Sequence, residues 1–277
     1  MNSGETNNVF KIVEEIVDLT PEERADLSGF LEKTSLSNII SMQKLVIDRL
    51  QAIQDLRALV FDHKKFSNEI DHIQKFIELH YWIFGEQYHL VTAEEPNFEE
   101  ALRRYLYILR GEDNPKGTIK IDSEHSKKQM DIFAVQQLIS GEVKKAIVVE
   151  LKRPSVMLSQ KELDQLKTYY SVIKKEDRFA ASNIEWEFIL VGNGISEYIK
   201  DEITTNKNHG EKGLVRNAGG CKIYVKTWSE IFTELEINFN FLNEKLKLDQ
   251  KKLIKRTGQT SDEIIIAQQS NVAKAAT

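Results

Sequence analysis

The chain has 277 residues and a mass of 32.0 kDa, enough for one large domain or two small ones with a substantial core. Its 41% hydrophobic and 29% charged fractions, four prolines, thirteen glycines and net charge of −5 exclude a disordered or fibrous chain. They also exclude a protein that coats DNA with basic charge along its whole length, while leaving local basic patches open.

No apolar run reaches the roughly 18–20 residues of a membrane span. The first residues, MNSGETNNVFK, lack the cationic start and apolar stretch of a secretory signal. One cysteine, Cys221, excludes an intrachain disulfide framework and a cysteine-based zinc site. A reducing, cytoplasmic location without a membrane partner is therefore expected.

The first third reads as helical. Thr20-Pro21-Glu22-Glu23 forms a capping box with proline at the first helical position, and it predicts a helix running through the thirties. From Ser37 to Phe61 the apolar residues Ile40, Leu45, Ile47, Leu50, Ile53, Leu56, Leu59 and Val60 recur at helical spacing, without proline or glycine. A helical hairpin or bundle is expected there. Ser67 to Trp82 reads as a further helix, with Ile70, Ile73, Ile77 and Tyr81 on one face and Gly85 as its stop. Asn97 to Leu109 reads as another, followed by a loop from Gly111 to Gly117.

From residue 118 the period changes. Thr118 to Ile121, Met130 to Val135 and Ala146 to Leu151 read as strands, the last buried on both faces because its apolar run is nearly continuous. Ser159 to Lys174 is an amphipathic helix. Strands follow at Trp186 to Val191 and Lys222 to Val225, and Trp228 to Leu248 closes the series as a helix. The order predicts an α/β sandwich with a mixed sheet. The tail from Asp249 holds two basic pairs and then small polar residues, and is expected to be mobile.

The informative chemistry lies between Asp131 and Glu150-Leu151-Lys152, with eighteen residues separating the two acids. Strand side chains alternate, so Glu150 and Lys152 point the same way. If the two strands are hairpin neighbours, Asp131 approaches Glu150. Charges at the end of a strand this apolar are paired or bind a metal. Two carboxylates and a main-chain carbonyl, here that of Leu151, offer the hard oxygen ligands that Mg²⁺ prefers and Mn²⁺ accepts. The lysine would orient the attacking water. The six histidines show no zinc spacing, and no phosphate-binding loop of the G-x-x-x-x-G-K-[ST] type is present.

M-D-I-F…V-V-E-L-K-R-P resembles the D…(D/E)-x-K core of the PD-(D/E)XK nuclease superfamily, with Met130 where the proline usually stands. Gln165-Leu-Lys-Thr-Tyr169 is similar to the Q-x-x-x-Y motif of its exonuclease-like branches. The ordered set E-I-D-H-I-Q-K-F-I-E, Y-W-I-F-G-E-Q-Y, M-D-I-F, V-E-L-K-R-P, D-Q-L-K-T-Y-Y and V-K-T-W-S-E-I resembles the Shedu group of bacterial nuclease domains, over roughly residues 65 to 248. The resemblance implies a restriction-endonuclease-like mixed sheet flanked by helices, hydrolysis of DNA phosphodiester bonds with Mg²⁺, and a role in anti-phage defence. It implies a catalytic set of Asp131, Glu150, Lys152 and Gln165, with Asp131, Glu150 and Leu151 holding the metal. It further implies an acid from the first core helix. Glu69 is preferred over Glu78, because the two face opposite ways, roughly 900° apart around a helix, and Glu69 lies nearer the isoleucine stripe. An RNA-directed or repair nuclease, and a binding subunit without turnover, are the alternatives.

Two basic groups could hold phosphates. One is Lys144, Lys145 and Arg153; the other is Lys207, Lys212 and Arg216, in a polar stretch from Asn206 to Gly220 expected to be a substrate-contacting loop. The expected organisation is a helical region over 1–62 that makes a dimer or tetramer, a nuclease domain over 63–248, and a basic tail over 249–277.

Overall fold

A computed structural model of the chain describes residues 3–63, 69–85, 89–92, 131–137, 144–175, 184–205, 211–246 and 259–275. It forms two compact units, Met1–Arg49 and Leu50–Thr277. The division falls within a helix rather than at the expected 62/63 boundary. The physical reason is burial: Leu50, Ile53, Leu56, Leu59 and Val60 are core residues, whereas Ile40, Leu45 and Ile47 are exposed. Only the second half of the expected stripe belongs to the larger core.

The first unit contains α1 (Ser3–Val17), α2 (Pro21–Leu31) and the start of α3 (Leu36–Arg57). The capping box is present. Glu23 N–H donates to Thr20 Oγ1 at 3.2 Å, and Thr20 N–H donates to Glu23 Oε2 at 2.8 Å. The helix does not run through the thirties. It ends at Leu31, and Ser35 starts a new one by accepting from Asn38 N–H at 3.2 Å. No residue from 8 to 49 is buried.

In the second unit α3 continues into a π turn over Ala58–Asp62. The expected helix from Ser67 to Trp82 is broken into a π-helical segment over Glu69–Gln74, α4 (Lys75–Leu79) and a 3-10 turn over Tyr81–Phe84, after which Gly85 takes φ 145°. The π register lets His72, Ile73 and Gln74 all be buried in succession, with Phe76 and Ile77 next. A single-stripe helix cannot do that. The expected elements over Asn97 to Leu109 and Thr118 to Ile121 lie outside the described residues.

Among the described residues eight strands follow: β1 (His89–Thr92), β2 (Ile132–Gln137), β3 (Lys144–Leu151), β4 (Met157–Leu158), β5 (Ile184–Gly192), β6 (Gly194–Ile195), β7 (Leu214–Ala218) and β8 (Cys221–Thr227). The helices among and after them are α5 (Gln160–Lys175), α6 (Glu197–Thr205), α7 (Trp228–Leu246) and α8 (Ser261–Ala275). Six strands form one mixed sheet in the order β1-β2-β3-β5-β8-β7. β2 pairs antiparallel with β3, β3 and β8 run parallel to β5, and β7 returns antiparallel on β8. The expected α/β class with a mixed sheet and flanking helices is what forms.

β3 is apolar along its length because both its faces are covered. Ala146 and Val148 join Phe188, Leu190, Ile223 and Val225 against Leu163, Leu166, Tyr169, Tyr170 and Ile173 of α5. Ile147, Val149 and Leu151 are buried on the alternate side. α7 carries Trp228 and Phe232, whose rings lie 6.3 Å apart, and Phe61 of the π turn packs 5.6 Å from Phe232.

The stretch from Asn206 to Gly220 is not simply a loop. Leu214–Ala218 is the edge strand β7, and Gly219 and Gly220, at φ 59° and 75°, make the tight turn into β8. Gly213 is required before it. At φ 78°, a Cβ there would meet the Val225 carbonyl oxygen at 2.5 Å.

The tail also departs from expectation. α8 is an ordered helix with its own capping box: Thr260 N–H donates to Glu263 Oε2 at 2.7 Å, and Glu263 N–H donates to Thr260 Oγ1 at 3.3 Å. Ile264, Ile265 and Gln268 are buried. A polar chain locks it in place. Trp82 Nε1–H donates to His80 Nδ1 (3.4 Å), which leaves His80 Nε2 to donate to Gln268 Oε1 (3.1 Å). Gln268 Nε2 then donates to Asp55 Oδ2 at 2.6 Å, while Gln51 Nε2 donates to Asp55 Oδ1 at 2.7 Å. Gln268→Ala removes a donor from a fully buried carboxylate. It is expected to lower stability by about 1–3 kcal/mol, read as a reduced midpoint in urea unfolding. An unchanged midpoint would show that α8 is not needed by the core.

Candidate active site

β3 is the central element of the site. Its side chains alternate, so Ala146, Val148 and Glu150 face α5. Glu150 is 2% exposed and Lys152 13%. The hairpin register pairs Ile132 with Val149, which puts Asp131, 7% exposed, opposite Glu150 at the end of β2. Asp131 Oδ2 accepts from Leu151 N–H at 2.6 Å. Leu151 thus enters the site through its N–H as well as through its place in the strand. Lys152 N–H donates to the Val191 carbonyl at 2.9 Å and carries the parallel pairing one residue past β3.

Glu150 gathers three side chains. Lys152 Nζ donates to Oε1 at 2.7 Å, Gln165 Nε2 donates to the same oxygen, and Tyr169 OH lies 3.5 Å from Oε2. Gln165 and Tyr169 stand one turn apart on α5, the spacing that lets two side chains of one helix reach one group. Ser159 fixes where that helix begins: Glu162 Oε2 accepts from its N–H at 2.9 Å and its hydroxyl at 2.6 Å. Burial pushes the Tyr169 phenol far above its ordinary pKa, and the Glu150 carboxylate adds to the shift. Tyr169 is therefore a permanent neutral donor.

The structure thus brings Asp131, Glu150, Lys152 and Gln165 together at the carboxyl end of the parallel strands, where ligands of open α/β sheets bind. The side chain of Glu69 lies outside the described residues. Its alternative, Glu78, is linked to the site by a residue the sequence reading passed over. Gln74, buried on the π-helical segment, donates through Nε2 to Glu78 Oε1 at 3.2 Å and lies 3.5 Å from the Asp131 carbonyl oxygen. The signal for Gln74 was its i,i+4 spacing to Glu78 on a face too buried for a solvated pair.

The basic residues separate. Arg153 follows Lys152 directly and is exposed. Lys144 and Lys145 do not join the site. They start β3, roughly 17–20 Å along the strand from Glu150, and Lys145 is held by Glu187 at 2.8 Å. Lys212 pairs with Glu230 at 3.5 Å, and the Arg216 guanidinium stacks 4.5 Å over the Tyr170 ring from the far edge strand. Lys207 lies outside the described residues. Among the described residues of the second basic group, Lys212 is thus exposed beside Glu230, and Arg216 lies on the edge strand over Tyr170.

No protein family, curated protein or solved structure matches the chain. Gln165→Leu keeps the volume of this half-buried side chain near that of the parent but removes a donor from Glu150. The expected cost is about 1–3 kcal/mol in urea unfolding. Parent-like unfolding of that variant would mean that Gln165 does not support the carboxylate.

Proposed function

We propose that the chain is a metal-dependent nuclease that hydrolyses DNA phosphodiester bonds, with a PD-(D/E)XK-like core and a Shedu-type role in anti-phage defence in the cytoplasm. The observation that carries this reading is the buried Asp131–Glu150–Lys152 group, braced by Gln165 and Tyr169, at the carboxyl end of the central parallel strands.

The donor set fits Mg²⁺. Asp131 and Glu150 are buried hard oxygen donors at the ends of adjacent strands. Among the described residues no cluster of three or more His, Cys, Asp and Glu side chains exists. Mg²⁺ is commonly held by one or two carboxylates together with water and phosphate oxygens, so two are sufficient. Asp131, Glu150 and the Leu151 carbonyl would hold it, and Mn²⁺ would substitute. When bound, such an ion offsets charge on the phosphate and lowers the pKa of water.

The chain's own residues do the rest. Asp131 is fixed by the Leu151 N–H, so its carboxylate keeps one orientation without cost during the reaction. Gln165 and Tyr169 hold the Glu150 carboxyl in place. Lys152 Nζ, poised on Glu150 Oε1, orients the attacking water and offsets charge on a non-bridging phosphate oxygen. The new P–O bond forms from the water oxygen as the bond to the leaving sugar oxygen breaks, and the water proton goes to that oxygen.

Lys152→Ala is expected to lower cleavage of plasmid DNA at least about a hundredfold, with binding retained. Asp131→Asn and Glu150→Gln should each lose at least about tenfold in Mn²⁺ affinity by calorimetry. Without metal they should unfold no more easily than the parent, because two like charges no longer face each other. Parent-like turnover by the lysine variant, or cleavage in EDTA, overturns the reading. Cleavage of RNA alone moves it to an RNA-directed enzyme.

The same reading includes a homo-oligomer. The first unit leaves Phe10, Ile12, Ile16 and Val17 of α1 exposed, together with Leu36 and Ile40 of α3. Its nine acidic against five basic residues over 1–49 make DNA or an anionic membrane an unfavourable cover. A second copy supplies a matching apolar face. Phe10→Asp combined with Ile16→Asp should lower the mass seen by light scattering to that of one chain. An unaltered mass removes the assembly role.

A further inference from the structure

Beyond the carboxylates, the chain builds a small platform between β3 and α5. Pro154 is buried, and Val156 N–H donates to the Arg153 carbonyl at 2.9 Å, closing a turn directly after Lys152. The chain then returns as β4, which pairs in parallel with β6, Met157 opposite Gly194 and Leu158 opposite Ile195. Strand alternation sends Leu158 fully into the core and turns Met157 outward, 60% exposed.

Two glycines make the platform possible. A Cβ at Gly192 would meet the Leu158 side chain at 2.7 Å, and one at Gly194 would meet Met157 Sδ at 3.3 Å. Ser196 N–H donates to the Leu158 carbonyl at 2.9 Å and ties the two short strands together. Met157 therefore stands on a rigid base. It is one of three large apolar side chains exposed among the described residues of the second unit, with Ile237 and Ile266. It alone of the three sits on the segment joining the carboxylate strand to the helix that carries Gln165 and Tyr169. Exposed Arg153 lies on the same turn.

An exposed apolar side chain four residues after an exposed arginine, on the segment that leaves the carboxylate strand, has a defined use on nucleic acid. Arginine takes the backbone phosphate and fixes register, while methionine is among the side chains that wedge between base steps and unstack them. We infer that the Arg153–Met157 turn is the substrate-positioning element of this site: Arg153 holds a phosphate next to the scissile one, and Met157 inserts against the neighbouring base step of a DNA duplex. The inference rests on the nuclease reading above and deepens it. Neither residue touches the reacting atoms, so both are positioning residues. The two act through different physics, and that separates them in experiment. Arg153 releases counterions on binding, so its contribution falls with salt, whereas that of Met157 does not.

The full chain is titrated in EDTA with a 25-base-pair duplex carrying 2-aminopurine, over a range of salt, and cleavage of the same duplex is then measured with Mg²⁺. The parent should raise 2-aminopurine fluorescence on binding, as a base leaves the stack. Met157→Ala should lose that rise and about tenfold in affinity at every salt concentration, the low end of what burying one methionine side chain contributes. Met157→Leu should keep both. Arg153→Gln should weaken binding and reduce the slope of log K against log salt by about one. All three variants should unfold at the parent midpoint. A parent that binds and cleaves without any fluorescence rise overturns the wedge. So does a Met157→Ala variant with parent affinity, rate and fluorescence, and in either case the nuclease reading stands. A parent that neither binds nor cleaves DNA overturns the nuclease reading itself, and this inference with it.

Discussion

A carboxylate that is 2% exposed on a central parallel strand constrains everything around it. Ionised and unsupported, Glu150 would cost the fold several kcal/mol, because low-dielectric surroundings penalise the charged form. Its neighbours answer that cost. Lys152 brings charge, while Gln165 and Tyr169 bring neutral donors from a helix whose start is fixed by the Ser159–Glu162 cap. Asp131 adds a second negative charge rather than relieving the first. A fold tuned for stability alone would not put it there, and that arrangement is what points to chemistry.

The two ends of the sheet treat charge differently. At the carboxyl end Lys152 shares Glu150 with Gln165 and Tyr169. At the opposite end two ion pairs stand among the described residues. Lys145 meets Glu187, and Glu211 accepts from Lys222 and Tyr224, whose hydrogen bonds hold its carboxyl below the usual range. Lys145, part of a basic group in a linear reading, is in this way paired with Glu187.

Much of the α/β core was legible because its periods are simple. AIVVEL and WEFILV are apolar enough to be buried on both faces, and the E-x-K alternation needs only the two-residue repeat of a strand. The Gln165–Tyr169 pair needed only helical spacing. What escaped was set by tertiary packing. β7 carries Arg216 and Asn217 at an edge, so its strand character comes from pairing with β8 rather than from hydrophobicity. The π-helical segment over Glu69–Gln74 is wound to bury three successive residues, which no single-stripe pattern announces. α8 was hidden because Gln268, a polar residue, is one of its anchors. The pairing of Lys145 was hidden for the converse reason, since its partner Glu187 lies on another strand.

The bond between Gln268 and Asp55 joins positions 213 residues apart. Contacts of such long separation form late, because the intervening chain must first be ordered. On the ribosome, the π-helical segment and α4, which carry Gln74 and Glu78, are in place for synthesis of most of the sheet before their companion helix exists. The polar chain through His80 closes only when residue 268 has emerged. The polar support on the Asp131 side of the candidate site is thus completed only after every strand of the sheet has been made, by a helix that follows the last of them.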